Sequence, residues 1–305
     1  MKSFQFLFVF TLSLGFAASN LCVAAKTSES RLVLEKLKQK KFEEVKEVTD
    51  AELRAMAGSQ SKWSLSGGLS YYGPSIDRLD SEIKPNPENT AMETRTSGSA
   101  SLSARYRYSS KTSISIDSGV SFYTPLSGAT DGEVDDPGIT LSKLYSPFGL
   151  QMRSRYSASV TTNAYYRDRG QIGRLNMSHD FKKKLGGPES PLLWSVGSSF
   201  NYFAFERSFS RGDGRVSNYL FSVYPGLQYD VTSDFNLGTS LAFGYSNLRE
   251  EENWWNWDRR LWSQRLTIGY ALTRNAYFKP YFNFFPERFT WDTTSVNLNL
   301  YLNLF

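Results

Sequence analysis

The chain has 305 residues, of which 15% are aromatic and 21% are charged, and its mean hydropathy is -0.42. Its one cysteine, Cys22, excludes an internal disulfide and a cysteine metal centre. The formal net charge of +5 is dispersed along the chain, which argues against nucleic acid as a partner. Beyond residue 25, no stretch is apolar enough for a helix to cross a bilayer, so a membrane protein of this sequence would need β-strands.

The first 25 residues have the pattern of a secretory signal peptide. Lys2 supplies the positive start, a mostly apolar run covers 4–16, and the small residues at 23–25 fit the cleavage rule. We therefore predict a signal peptide at 1–25 and a mature chain that begins near Lys26.

Residues 26–61 are predicted to form a periplasmic helical leader, because charged and helix-forming residues dominate this stretch. Thr49 and Glu52 have the spacing of a capping box, and Gly58 stands where a helix would end. We expect one or two short helices here. Our main interpretation is a solvated leader that precedes the next domain, and the alternative is a plug or a partner-binding handle.

From Lys62 onward, apolar and polar residues alternate with a period of two, which is typical of strands. About twelve such segments of about ten residues each are typical of a transmembrane β-barrel. The predicted fold class is therefore all-β: a single antiparallel up-and-down barrel over 62–305, with a short N-terminal helical segment. The predicted strands are 62–73, 94–108, 111–124, 139–146, 150–166, 171–184, 192–207, 215–231, 235–248, 259–273, 277–286 and 293–305.

The connections between these strands alternate in length, as in bacterial barrels with short periplasmic turns and long extracellular loops. The short turns are 109–110, 232–234 and 274–275, and the long loops are 74–93, 125–138 and 249–258. This alternation predicts that both ends of the barrel chain lie in the periplasm. Pro225 and Pro280 fall inside predicted strands, so we expect bulges or the membrane boundary at these two positions.

The chain ends on Phe305, at the end of its last predicted strand. This resembles the Gram-negative outer-membrane β-barrel superfamily, whose last strand commonly closes on an aromatic residue that the barrel-assembly machinery reads. The resemblance covers about 62–305. It implies a porin-like or channel-like protein surrounded by outer-membrane lipid and lipopolysaccharide, with Phe305 as the assembly signal. The leucines of 298–304 have the opposite parity to Phe305, which departs from the usual pattern.

The period of two divides each strand into a lipid-facing and a lumenal set of residues. The charged residues of the lumenal set are mostly basic, and rings of arginine or lysine favour anions in a pore. The predicted pore-lining residues are Arg95, Arg105, Arg107, Arg153, Arg155, Arg174, Arg265 and Lys279. Lys182 and Arg259 share their parity, and the inward acids are Asp117, Asp180 and Asp230.

These residues indicate a passive pore for small polar or anionic solutes, and this is our main hypothesis. In the alternative, the arginines pair with the aspartates and the loops and fill a small barrel. The protein is then a non-conducting surface or structural barrel whose long extracellular loops bind a partner. No cofactor is expected in either case.

An outer-membrane hydrolase is the third hypothesis. His179 is the only histidine, and it shares its parity with Leu175 and Met177, which predicts that it faces lipid. Adjacent strand residues point to opposite faces, so Ser178 and Asp180 cannot form a relay with it. A histidine base would need a serine from another strand, and we predict no catalytic residue.

Two loop clusters remain. The acidic residues of 131–136 do not have the spacing of the helix-loop-helix calcium motif, so we interpret them as a solvated loop rather than a metal site. Trp254, Trp255 and Trp257 are interpreted as an aromatic girdle at the membrane interface. The alternative is a surface that grips a sugar or a partner.

Overall fold

The computed structural model describes residues 50–57, 61–87, 94–126, 131–187, 189–206, 216–249 and 253–304. The predicted signal peptide, most of the predicted leader and the terminal Phe305 lie outside these residues. Strands dominate the described part of the chain, and their bounds follow in chain order. They are β1 Trp63–Ser75, β2 Ser97–Arg107, β3 Thr112–Tyr123, β4 Gly132–Tyr145, β5 Gln151–Val160, β6 Gln171–Lys184, β7 Leu192–Phe205, β8 Ser217–Asp230, β9 Phe235–Leu248, β10 Asp258–Arg259, β11 Ser263–Thr273, β12 Ala276–Phe284 and β13 Ser295–Asn303.

The strands form one closed antiparallel sheet. Each strand from β1 to β8 pairs with the next one along the chain, β9 pairs with β11, and β13 returns to pair with β1. Within the described residues, twelve strands thus make up the barrel wall, and the two-residue β10 pairs with β9 beyond the end of β11. The even-stranded, closed barrel that the alternation predicted is confirmed. Closure pairs the backbone of every wall strand with two neighbours, which a bilayer requires because it offers no water to unpaired groups.

The side chains alternate between the two faces of the wall, as the period of two predicts. Large apolar side chains are exposed on the outer face. Examples are Ile114, Ile116, Leu141, Tyr156, Leu175, Leu237, Leu266 and Ile268. The inward positions carry serines, asparagines and charged residues, so the core of this barrel is polar and its apolar surface faces outward.

The helices of the described residues are short. They are α1 Ala51–Ala57 and α2 Ala164–Arg167, with 3-10 turns at Ile76–Arg78, Pro147–Gly149 and Pro286–Arg288. None of the helices in these ranges has the length and the apolar character to span a membrane. We call the end of the barrel that carries the turns 109–110, 232–234 and 274–275 the short-turn end, and the other the long-loop end.

The fourth strand is longer than predicted, because β4 begins at Gly132 and not at 139. The register between β3 and β4 shifts between Asp117 and Gly119, opposite the stretch that contains Pro137. Because this bulge breaks the alternation, the period of two did not reveal the first half of the strand. The acidic residues of 131–136, predicted as a loop, therefore lie mostly on the strand.

Other predicted boundaries were also wrong. The strand predicted over 150–166 ends at Val160, and Asn163 caps α2 by accepting a 3.3 Å bond from the backbone N–H of Tyr166. The strand predicted over 259–273 is divided into β10 and β11. In both places the chain leaves the sheet at a residue that alternation alone does not mark.

Neither strand proline lies at a bulge, which was one of the two positions that we had predicted for them. Pro225 pairs with Val196 on β7, while pairing with β9 stops at Val223 and resumes at Gly226 in unchanged register. Pro280 pairs with β13 in the same way, opposite a gap in the pairing with β11. Each proline lacks an N–H, and the wall accommodates this by a local gap in one ladder only.

Candidate functional site

A cluster of arginines lies on the lumenal face of β2 and β5. Arg105, Arg107 and Arg153 are each less than a tenth exposed. The strands between them carry short side chains at this level, since Ser113 of β3 pairs with Arg107 and with Ser142 of β4. The long guanidinium side chains therefore have room to extend over β3 and β4. The lumenal wall is therefore positively charged at this level.

Lumenal carboxylates lie beside this cluster. Asp180 Oδ2 is 3.8 Å from Nη2 of Arg155, and both side chains are about a third exposed. Asp117 accepts a 3.0 Å hydrogen bond from the hydroxyl of Ser115. Contacts between partly exposed charges in a wet lumen are weak, so the aspartates offset the positive charge only in part.

Helix α1 lies inside the barrel at its short-turn end. Asp50 caps the helix, because its Oδ1 accepts a 2.9 Å bond from the backbone N–H of Leu53. Leu53 is buried against Leu144 of β4. We had predicted a capping box from Thr49 and Glu52. Instead, Asp50 is the cap, and Glu52 reaches the barrel wall (Thr49 is outside the described residues).

Glu52 joins α1 to two lysines of the wall. Lys182 Nζ donates to Glu52 Oε2 at 2.9 Å, and Lys279 Nζ donates to Glu52 Oε1 at 2.6 Å. Lys182 also donates to Asp50 Oδ1 at 2.8 Å. Burial alone would raise the pKa of Glu52, but the two ammonium groups outweigh this effect and hold the pKa well below its usual range. Glu52 is therefore ionised at neutral pH, and charge binds the helix to the wall.

Amide side chains from separate strands complete the seat of α1. Gln228 Nε2 of β8 donates to Asp50 Oδ2 at 3.2 Å, and Gln151 Oε1 of β5 accepts from the Asp50 backbone N–H at 3.0 Å. Asn303 Nδ2 of β13 donates to the backbone carbonyl of Ala55 at 2.9 Å. Asp50, Glu52 and Ala55 are thus buried against the inner face of the wall, where the plug alternative places this segment.

A cavity of about 300 Å³ opens in the lumen toward the long-loop end, and we call it the vestibule cavity. Arg265 of β11 lies there, with Cζ 5.8 Å from the ring centroid of Tyr224 and 5.5 Å from that of Tyr281. Lys84 and Arg260 also line it. Among the described residues that line the cavity, none is acidic.

The remaining predicted pore-lining residues lie at different levels of the barrel. Arg95 precedes β2, which begins at Ser97, and it pairs with Asp131 at 2.9 Å in the long loops. Arg174 is exposed on the inward face of β6 near the long-loop end. Lys279 belongs to the seat of α1. The eight predicted residues therefore form no single ring: the cluster of Arg105, Arg107 and Arg153 lies toward the short-turn end, and the others lie at different levels of the wall.

The solitary histidine lies on the outer face, as its parity predicted, and it has a serine partner. His179 Nδ1 is 2.8 Å from Ser154 Oγ, and Tyr145 Oη is 3.1 Å from the same oxygen. Ser154 is only 2% exposed, so a substrate carbonyl has no path to this oxygen. Asp180, which would have to orient the histidine, points into the lumen toward Arg155. The geometry does not favour a Ser–His hydrolase.

The acidic stretch of β4 is bonded to protein groups. Asp136 accepts a 2.8 Å hydrogen bond from the backbone N–H of Thr162, and Asp135 accepts from the hydroxyl of Ser121 at 2.5 Å. Within the described ranges, no group of three or more histidine, cysteine, aspartate or glutamate side chains is placed to hold a metal ion. The stretch therefore ties the rim of the barrel together.

The tryptophans of the loop before β10 separate into two groups. Trp257 packs on the outward Tyr219 with ring centroids 6.1 Å apart, which suits an interfacial girdle. Trp254 and Trp255 pack on each other at 3.8 Å and are exposed beyond the strand ends. The girdle interpretation therefore fits Trp257, while the other two belong to the loop.

Sequence reasoning missed Asp50 and Glu52 as lumenal residues. A signal was present, since an aspartate directly before the helix-forming run 51–57 is a strong cap, and this run directly precedes the barrel. It also missed the aromatic partners of Arg265. Parity places Tyr281 on the same face as Lys279, but the closure of the barrel decides that Tyr224 and Tyr281 both lie beside Arg265.

The closed twelve-stranded wall and its polar lumen form a fold that this chain shares with a solved outer-membrane channel. An outer membrane channel from Pseudomonas putida F1 superposes with a TM-score of 0.51 at 12% identity, over 79% of this chain and 95% of that one. The NanC porin gives 0.44 at 10% identity, over 78% and 98%. Omp33 of Acinetobacter baumannii gives 0.36 at 10% identity, over 79% and 97%. No family model and no curated protein sequence matches the chain.

Proposed function

We propose that this chain is a passive outer-membrane pore that prefers small anionic solutes. The observation that carries the proposal is the cluster of Arg105, Arg107 and Arg153 on the lumenal face of the wall. An anion about 5 Å from one guanidinium gains about 3 kcal/mol at an effective dielectric constant of about 20. A cation at the same place is repelled by as much, so a few such side chains are enough to bias the solutes that pass.

The arrangement of the chain supports the proposed setting. The outer face is apolar, the short turns are gathered at one end, and α1 enters the lumen at that same end. We propose that this end faces the periplasm and that lipid and lipopolysaccharide surround the wall. A tag inserted in 253–257 tests the orientation, because it should be accessible at the surface of intact cells. A tag that is reached only after the outer membrane is opened contradicts it.

Planar-bilayer recording tests the pore itself. The full mature chain should conduct, and its reversal potential in a potassium chloride gradient should show anion preference. Replacing both Arg105 and Arg153 with Gln should reduce the anion-to-cation permeability ratio several-fold.

Lys183→Gln is the matched control, because Lys183 is an exposed residue on the outer face of the same wall. It also removes a positive charge, but not from the lumen, and the permeability ratio should be unchanged. Two results would overturn the proposal. One is cation preference in the parent chain, and the other is the absence of current from both the parent and a variant that releases α1.

A further inference from the structure

The vestibule cavity has the size of a small-molecule site. Its volume is about 300 Å³, at the lower end of the range for ligand pockets. A closed apolar cavity of about 150 Å³ already holds a benzene ring. The vestibule therefore accommodates a single ring with one substituent.

Arg265 is held in place at the wall of this cavity. Its Nε donates to Asn283 Oδ1 at 3.4 Å, and the guanidinium carbon lies 5.8 Å and 5.5 Å from the ring centroids of Tyr224 and Tyr281. In the described part of the chain, neither Nη group of Arg265 has a hydrogen bond or an ion pair. A guanidinium fixed by its Nε presents the opposite, two-pronged edge, which matches the two oxygens of a carboxylate.

The rest of the lining adds positive charge, flat surfaces and neutral polar groups. Lys84 Nζ lies 5.9 Å from the ring centroid of Tyr72, so a second cation stands over an aromatic face of the cavity. Ser222 and Asn297 line it as neutral hydrogen-bonding groups. Since none of the described lining residues is acidic, a cationic solute finds no carboxylate partner here, while an anion with a flat body finds both positive charge and ring surfaces.

We propose that the vestibule cavity binds small carboxylates that carry a ring. The carboxylate pairs with the two-pronged edge of Arg265, and the ring lies against Tyr224 and Tyr281. This inference rests on the proposed pore, whose solute class it names. The ring is that of an aromatic acid or of a sugar acid, which share this chemistry.

Two measurements separate this inference from the pore itself. Calorimetry of the full mature chain in detergent measures binding of benzoate and glucuronate, with acetate and glucose as controls that lack the ring or the charge. Bilayer recording measures how the same compounds block the chloride current. We expect benzoate, glucuronate or both to bind and to block at a lower concentration than acetate and glucose.

Arg265→Gln should weaken binding of the ring-bearing acid about tenfold or more, because it removes a charged two-point contact. Tyr224→Leu should weaken the binding of that acid while leaving the binding of acetate unchanged. Arg174→Gln also removes one lumenal arginine, but outside this cavity, and it should leave the binding constant unchanged. Retention of the heat-modifiable gel shift of a folded barrel shows that each variant is folded.

The outcomes are distinct. Anion current in a chain that binds benzoate and glucuronate no better than acetate overturns the inference and leaves the pore standing. Binding that Arg174→Gln weakens as much as Arg265→Gln also overturns it, because general lumenal charge would then explain the effect. Binding without any current supports the site and contradicts the pore.

Discussion

Replacement of Glu52 by Gln should release α1 from the lumen. The substitution keeps the shape of the side chain but removes the charge that pairs with Lys182 and Lys279. Lys182 keeps its ion pair with Asp50, whereas Lys279 loses its ion pair with Glu52. Removing one partner of a buried pair costs about 3 to 5 kcal/mol, and the lower figure applies because the Lys279 side chain is 24% exposed.

About 3 kcal/mol shifts the equilibrium between the seated and the released helix about a hundredfold. The effect is local, since the strand ladders do not depend on α1. Ala55 is 5% exposed in the seated helix, so an Ala55→Cys variant reports the release through its rate of maleimide labelling. The Glu52→Gln background should raise this rate up to a hundredfold and should also increase the single-channel conductance.

Glu287→Gln is the matched control. It breaks the 2.7 Å pair with Arg259, which lies on the exposed loops at the other end of the barrel. Exposed pairs contribute about 1 kcal/mol at most, so labelling of Ala55→Cys should not change. If Glu52→Gln labels no faster than this control, the ion pairs do not hold the helix and the reasoning fails.

Three further predictions follow from single contacts. The ion pairs keep the folded-state pKa of Glu52 below its unfolded value of about 4.3, so their stabilisation is complete above that pH and is lost as the pH falls below it. The labelling rate at position 55, divided by that of a free thiol at the same pH, should therefore be flat from about pH 5.5 to 8 and should rise below about pH 4; a steep change of this ratio near pH 7 contradicts the prediction. Gly269→Ala places a Cβ against the hydroxyl of Tyr277 and should lower the free energy of unfolding in urea by about 1 to 3 kcal/mol, whereas an unchanged midpoint would show that the tyrosine moves freely. His179→Ala should leave conductance and anion preference unchanged, and any loss of an esterase activity with it would reopen the hydrolase hypothesis.

The sequence predicted the barrel well because the period of two is a local property. Leu298, Leu300 and Leu302 alternate with polar residues, and their strand is found where the pattern placed it. The same alternation places His179 on the outer face and Arg105 on the lumenal face. It failed where local chemistry interrupts the period, as at Pro137 in the bulge of β4.

The sites required the closed structure. Glu52 meets Lys182 across 130 residues of chain and Lys279 across 227, and nothing in the local pattern marks these pairs. Arg265 lies between tyrosines from β8 and β12 that do not neighbour each other in the wall. Parity assigns a residue to a face of the wall, but the register of pairing sets its height and the closure sets what lies opposite.

The sequence by itself therefore determined the wall: its strands, its apolar outer face and the basic character of its lumen. The tertiary structure alone decided that residues 50–57 occupy the short-turn end and that a basic, aromatic cavity opens toward the other end. The physical reason is that alternation follows from the geometry of one strand, whereas lumenal contacts arise between strands that only closure brings together.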